Sequence, residues 1–379
     1  AKEDIMTELF QDNEMDMIHI KWSDNSDSSY PFLWLRENDP AGFHKDTNER
    51  MTDLTSIPLD ITLTKAFIKD DVLMLNWSDS ANSTRYNLDW LYHHKPGKRA
   101  SDPAAIKKRC WRGGMGTDKL PTAKAKELLE DDDALATWLE NTQSFGLSLV
   151  TGLDARHDAG MEVAKRIGFL RETNFGTTFQ VQSKPNPNNL AYTAVALPPH
   201  TDLPNQELPP GFQFLHCLAN EAEGGGSTFA DGLAISTDLR ANDIEAFNML
   251  SSVSIPFRFY DENTDIRSRK HVITLNLDGE ISEICFNAHI ADFLDIDPKL
   301  MKSYYRAYGK FMKMTRSNAY LISLRLAAGE MVVFDNRRIL HGRDAFDPET
   351  GFRHLQGCYV DRGEFESRLR VLKRRSGDA

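Results

Sequence analysis

His200, Asp202 and His341 are the residues of this chain whose types and spacing could do chemistry. His200 and Asp202 lie two apart, and His341 follows 139 residues after Asp202. Two imidazoles and one carboxylate can occupy one face of an octahedral iron(II), leaving three positions open for a chelating ligand and oxygen. An H-x-D triplet arises by chance in many chains, so it gains meaning only beside a second histidine, an anion anchor and a substrate pocket. On an extended segment His200 and Asp202 point to the same side, and Pro198-Pro199 restrict the backbone entering it. His341 follows Val332-Val333-Phe334 and a turn at Asp335-Asn336. His216, His271 and His289 also lie near strand-like runs and are rival ligands. His19, His44, His93, His94 and His157 read as surface or loop residues. Any one of these histidines could equally be a hydrogen-bonded structural residue.

Arg353, twelve residues after His341, sits among apolar and small residues, which weakens its reading as a surface salt bridge. A dicarboxylate that chelates iron at one end needs a planar, bidentate cation for its far carboxylate, and Arg353 can supply it. Ser227, after Gly224-Gly225-Gly226, is a candidate hydroxyl donor to the same carboxylate, although a glycine triplet beside a strand could also be a plain turn.

The elements that must position these residues follow from pattern. In the first ninety or so residues, Met17 to Trp22, Tyr30 to Leu35 and Val72 to Trp77 read as strands, and Trp90 to His94 as a short helix. We expect a small β-rich domain over 1–97, with Lys95 to Pro103 as linker, and a second domain over 98–379. There Pro121 to Leu129, Asp133 to Gln143, Ala159 to Leu170, Ser236 to Leu250 and Pro298 to Thr315 have helical composition. Strand candidates are Phe145 to Val150, Phe212 to Leu218, Ser227 to Ala230, Val272 to Leu277, Ile284 to Phe286, Met331 to Phe334 and His354 to Val360. Many strands without an alternating βα rhythm favour a mostly β, double-sheet antiparallel barrel with flanking helices over a doubly wound fold.

Bulk properties narrow the partners. The 379 residues carry a formal charge of −11, which argues against a general nucleic-acid binder. Cys110, Cys217, Cys285 and Cys358 are far apart, with no C-x-x-C pair, so they read as reduced thiols rather than a disulfide framework or zinc cluster. The acidic start lacks a signal pattern, and no run approaches the roughly 18 apolar residues of a membrane helix. A cytoplasmic protein is the expectation.

Several ordered motifs then make a resemblance specific. Arg166-Ile167-Gly168-Phe169-Leu170-Arg171, Asn188-Asn189-Leu190-Ala191-Tyr192, His200-Thr201-Asp202-Leu203-Pro204, Leu215-His216-Cys217 and Leu340-His341-Gly342-Arg343 resemble the γ-butyrobetaine dioxygenase family of Fe(II)/2-oxoglutarate-dependent oxygenases. The likeness extends over most of the chain. It implies a double-stranded β-helix (jelly roll) behind a small N-terminal domain, and a homodimer. It also implies hydroxylation of a trimethylammonium substrate coupled to decarboxylation of 2-oxoglutarate to succinate and CO2. The preferred substrate is γ-butyrobetaine, giving L-carnitine; trimethyllysine or a trimethylammonium phosphonate is the nearest rival. Iron(II) would be held by His200, Asp202 and His341, and 2-oxoglutarate by Arg353. A silent module that binds a methylated ammonium is the rival of a different class, and a zinc hydrolase is disfavoured because no general base stands nearby in sequence.

A quaternary ammonium has no N–H to donate, so aromatic faces must recognise it, at roughly 0.5–2 kcal/mol per contact. The resemblance places Phe175, Phe179, Tyr192 and Tyr359 in such a cage, and Asn189, Asn287 and Asn205 are candidates for the substrate's anionic end. Aromatics in strands are more often plain core. Phe175 and Phe179 stand where the family commonly has Tyr and Trp, which points to weaker cation binding or a different ammonium. A second departure is in the N-terminal domain. The family's structural zinc site needs cysteines after the W-L-R motif and a later histidine. Trp34 to His44 contains no cysteine and Trp77 to Asn82 no histidine, so no structural zinc is expected.

Overall fold

The computed structural model describes residues 5–79, 82–183 and 186–377. Ala1 to Asp4 of the acidic start, and Ser80 and Ala81 of the stretch read for a zinc-ligand histidine, lie outside the described residues. The chain divides into two compact units, Ala1–Asp102 and Pro103–Ala379.

Period-two alternation builds the first unit. Ile18, Ile20 and Trp22 are buried along Met17–Trp22, as are Leu73, Leu75 and Trp77 along Val72–Trp77. Each run is the middle strand of a three-stranded antiparallel sheet, flanked by Met6–Asp12 and Asp27–Pro31 in one and by Leu63–Lys69 and Thr84–Asn87 in the other. Asp70 and Asp71, with φ of 52° and 59°, form a tight turn whose twist suits the hairpin. The run Tyr30 to Leu35 is not one strand. Pro31 has no N–H to extend the ladder, and Phe32–Glu37 becomes a helix that buries Phe32 and Leu35 one turn apart.

The second unit is a two-sheet jelly roll. Its larger sheet runs in the order Thr122–Lys124, Leu147–Thr151, Met331–Asp335, Phe212–Asn220, Arg353–Val360, Phe179–Val181. The smaller runs Leu197–His200, Ile339–Arg343, Ser227–Asp231, Leu321–Leu324. Phe229 of the smaller sheet meets Phe334 of the larger at 5.5 Å in the core they share. Alternation assigns the larger sheet's faces. Phe212, Phe214, Cys358 and Val360 pack outward on the helices Asp132–Phe145, Ala159–Ile167 and Arg362–Ser376. Gln213, Leu215, Arg353, Leu355 and Tyr359 face a cavity on the other side.

Several boundaries differ from the pattern reading for local reasons. Thr122–Lys124 is a strand, paired in parallel with Leu147–Thr151, and the helix begins only at Ala125. The stretch Ser236 to Leu250 is two helices, because Asp243 ends the first and caps the second by accepting from the Ala246 N–H. Pro298–Thr315 forms as read, with Pro298 in its first turn and Asp297 as cap. At the turn leading to His341, Arg338 and Asp231 are fully paired in the interior (2.9 Å and 3.0 Å). Arg338 also donates to the Ser144 and Arg109 carbonyls, so this buried charge is satisfied on all sides. Among the described residues, no helix is long and apolar enough to cross a membrane.

Candidate active site

Sheet register brings the three ligand candidates together. Leu197–His200 pairs antiparallel with Ile339–Arg343, and His200 stands directly opposite His341. Asp202 Oδ1 lies 3.2 Å from His200 Nε2 and 3.3 Å from His341 Nε2. The three ligand atoms fall within 4.8 Å of one another, the one such group among the described residues. His200 Nδ1–H donates to the Pro198 carbonyl at 2.9 Å, which leaves Nε2 with its lone pair facing inward. His341 packs its ring 4.7 Å from Phe334. Asn336 fixes the Asp202 backbone from both ends: its Oδ1 accepts from the Asp202 N–H at 2.6 Å, and its Nδ2 donates to the Asp202 carbonyl at 2.9 Å. Leu203 then turns the chain away at φ 56°.

Electrostatics suit a cation there. Burial alone would raise the Asp202 carboxyl, but the two histidines outweigh it and hold it well below the usual carboxylate range. Burial lowers His341 and favours the neutral imidazole that a metal requires. Tyr359 is pushed upward by burial and by Asp202, so its hydroxyl stays protonated and donates to Asp202 Oδ2 at 2.6 Å.

Arg353 is buried at the base of the same cavity. Its Nη2 donates to the Gly225 carbonyl at 3.2 Å, while Nε and Nη1 have no protein partner. Buried guanidinium donors without acceptors are costly unless an anion completes them, and a carboxylate is the geometric match. Ser227 lines the same cavity. The glycine triplet is more than a turn. A Cβ on Gly225 would lie 2.8 Å from Arg353 Nε, so the backbone passes close under the guanidinium.

The cavity encloses about 360 Å³. Phe175, Phe179, Tyr192 and Tyr359 all line it, as do Asn189 and Asn287. The rings form two couples: Phe175 stands 6.2 Å from Tyr192, and Phe179 5.1 Å from Tyr359. Asn189 accepts from the Ala191 N–H and shapes the turn carrying Tyr192. Asn287 spends both amide atoms locally, on the Thr201 carbonyl and the His289 N–H. Asn205 is buried but does not line the cavity. Of the rival histidines, His289 reaches the wall, 6.3 Å from His200 between ring centres, and His216 sits elsewhere in the core.

Sequence reading missed three contributors. Phe259, on Ile255–Tyr260, adds a fifth ring 5.3 Å from Phe175, with Arg258 and Tyr260 beside it on the wall. Arg343 was visible only as part of a motif. Its guanidinium donates to the carbonyls of Leu190, Ala191, Thr193 and Val195, and so clasps the segment that bears Tyr192. The hydroxyl bond of Tyr359 to Asp202 had no signal beyond the presence of a tyrosine.

A jelly roll carrying a His-Asp-His group on one sheet, with an unsatisfied buried arginine on the other, defines a non-haem iron, 2-oxoglutarate-type dioxygenase. Residues 112–359 match the family described as Taurine catabolism dioxygenase TauD, TfdA family, and residues 11–92 match Gamma-butyrobetaine hydroxylase-like, N-terminal. The chain is 41% identical to a γ-butyrobetaine dioxygenase of Pseudomonas sp. (strain AK-1), covering 94% of each. It is 31% identical to that of Homo sapiens, covering 95% of each. It is 28% identical to the mitochondrial trimethyllysine dioxygenase of Rattus norvegicus, over 90% of this chain and 82% of that one. A taurine dioxygenase from Burkholderia xenovorans shares the fold, with a TM-score of 0.50 at 12% identity over 67% of this chain and 89% of that one. The chain belongs to the γ-butyrobetaine dioxygenase family.

Proposed function

We propose that the protein hydroxylates γ-butyrobetaine to L-carnitine, using 2-oxoglutarate and releasing succinate and CO2. The observation that carries this reading is a single cavity. It unites the His200, Asp202 and His341 group, the two open donors of Arg353 and a ring-lined wall. His200, Asp202 and His341 would hold iron(II), Arg353 with Ser227 the far carboxylate of 2-oxoglutarate. Iron(II), when bound, supplies the oxidising chemistry that inserts oxygen into a C–H bond as 2-oxoglutarate is decarboxylated. The chain's own residues do the positioning. Phe175, Phe179, Tyr192 and Tyr359 offer π-faces to the trimethylammonium head, and Asn189 with the second amide hydrogen of Asn287 serves the substrate's anionic end. Together they hold one carbon near the metal and exclude water from it.

Hydroxylation of trimethyllysine is the second reading, favoured by the trimethyllysine dioxygenases among the relatives. A trimethylammonium phosphonate shares the same head group. The reading extends to a zinc-free, cytoplasmic homodimer of two-domain chains. The deciding experiment is turnover of the iron-reconstituted protein with 2-oxoglutarate against a panel of trimethylammonium compounds, read by mass spectrometry. One oxygen gained by γ-butyrobetaine, with matching succinate, is the expected outcome. Faster turnover of trimethyllysine would reassign the substrate, and no substrate-dependent succinate would leave a silent binding module. His341→Ala should abolish turnover, and normal 2-oxoglutarate-dependent product formation by it would sink the site assignment. Metal analysis should find iron and no stoichiometric zinc.

A further inference from the structure

One contact in the cavity joins its substrate side to its metal side. The Tyr359 hydroxyl donates to Asp202 Oδ2 at 2.6 Å, while the ring of the same residue lines the cavity 5.1 Å from Phe179. The two oxygens of Asp202 are therefore unequal. Oδ1 faces both imidazoles, 3.2 Å and 3.3 Å from their Nε2 atoms, and Oδ2 is turned toward the phenol. A buried carboxylate oxygen that gives one lone pair to a short, charge-assisted O–H bond is a weaker electron donor and is held toward that hydroxyl, which disfavours it as a second metal ligand.

The surroundings leave the hydroxyl little choice. Tyr359 sits opposite Gln213 on the larger sheet and is 4% exposed. The backbone of Asp202 is already fixed by Asn336, so what remains free is rotation of the carboxylate about its side-chain bonds. Resting on the iron assignment above, we propose that Tyr359 is a positioning residue whose hydroxyl holds Asp202 to one-oxygen ligation. This keeps coordination positions open for the co-substrate. It also makes the ring that meets the substrate and the group that orients a metal ligand one side chain.

Tyr359→Phe keeps the ring and removes the oxygen. In the cobalt(II)-loaded protein, the visible absorption should shift. Cobalt affinity should fall about ten- to hundredfold, the usual range for losing such an outer contact, and calorimetric 2-oxoglutarate affinity should fall with it. With iron, kcat should fall more than the substrate KM rises. Phe179→Leu, which removes the ring's neighbour but leaves the hydroxyl, should shift KM and leave the cobalt spectrum in place. An unchanged spectrum and 2-oxoglutarate affinity in Tyr359→Phe overturn the proposal. So does a Phe179→Leu spectrum displaced as far as that of Tyr359→Phe. X-ray absorption of the cobalt-loaded wild-type protein tests the point without any variant: one-oxygen carboxylate ligation is expected, and two-oxygen ligation overturns it. Failure of the underlying site assignment is distinct, since His341→Ala would then bind cobalt as tightly as the wild type.

Discussion

Gly357 lies directly beneath the ring of Phe179: a Cβ added there would fall 2.3 Å and 2.4 Å from two of its ring carbons. The two residues are paired across the edge of the larger sheet, so neither backbone can retreat without breaking the ladder. Gly357→Ala should therefore tilt Phe179 away from Tyr359, at a cost of about 1–3 kcal/mol for overpacking. We expect the apparent KM for the ammonium substrate to rise about tenfold, on the scale of one lost cation–π contact. Cobalt binding should be unchanged. Steady-state kinetics beside a cobalt titration check both halves.

Gly225 plays the corresponding part for Arg353. Its φ of 71° disfavours a side chain, and a Cβ would meet Arg353 Nε at 2.8 Å and Cδ at 3.0 Å. Gly225→Ala should push the guanidinium off its seat. The KM for 2-oxoglutarate should rise by about tenfold or more, the scale of a charge-assisted bond, while that for the ammonium substrate moves less. Equal changes in both constants would point to general disorder of the cavity instead.

Arg343→Lys tests the clasp on residues 190–195. A planar fork reaches four carbonyls at 2.5–3.3 Å, whereas an ammonium is a point donor that cannot span them. Loss of the span should loosen the turn carrying Tyr192. The expected result is a raised substrate KM, normal metal content, and faster hydrogen exchange at Tyr192 and Thr193, measured by mass spectrometry.

His216 provides a pH test away from the cavity. Neither ring nitrogen has a hydrogen-bond partner, and burial, with the charge of Arg156, pushes the group down to about 4. In the unfolded chain it titrates near about 6.5. The folded state thus holds it neutral. Its contribution to stability is complete above pH about 6.5 and is lost as the pH falls toward 4. The wild-type Tm should drop more steeply over that window than the Tm of His216→Leu, with activity at neutral pH alike in both.

The chemistry of this chain was legible because its parts are local or carried by motifs. His200 and Asp202 share one short segment, Arg353 opens a strand, and helix Pro298–Thr315 announces itself with its cap and first-turn proline. What pattern could not supply was long-range facing. Phe259 lies 67 residues from Tyr192 and reaches the cavity only because Ile255–Tyr260 runs along its wall. His341 follows the turn at Asp335-Asn336 in a stretch to which pattern assigned no strand, yet it lies inside Ile339–Arg343, because pairing with both neighbouring strands makes that stretch extended. The helix Arg362–Ser376 was hidden by its charge, although Phe365, Leu369 and Leu372 recur at helical spacing and all are buried.

The direct pairing of His200 with His341 separates what must stay from what can change. Their spacing is set by backbone hydrogen bonds of a sheet, whereas the rings lining the cavity hang on stretches scattered through the sequence: Phe175 and Phe179, then Tyr192, then Phe259. Inheritance can alter those stretches one replacement at a time while the oxidising centre keeps its footing. New substrate preferences are therefore within short mutational reach of an enzyme that never has to reinvent the pairing at its centre.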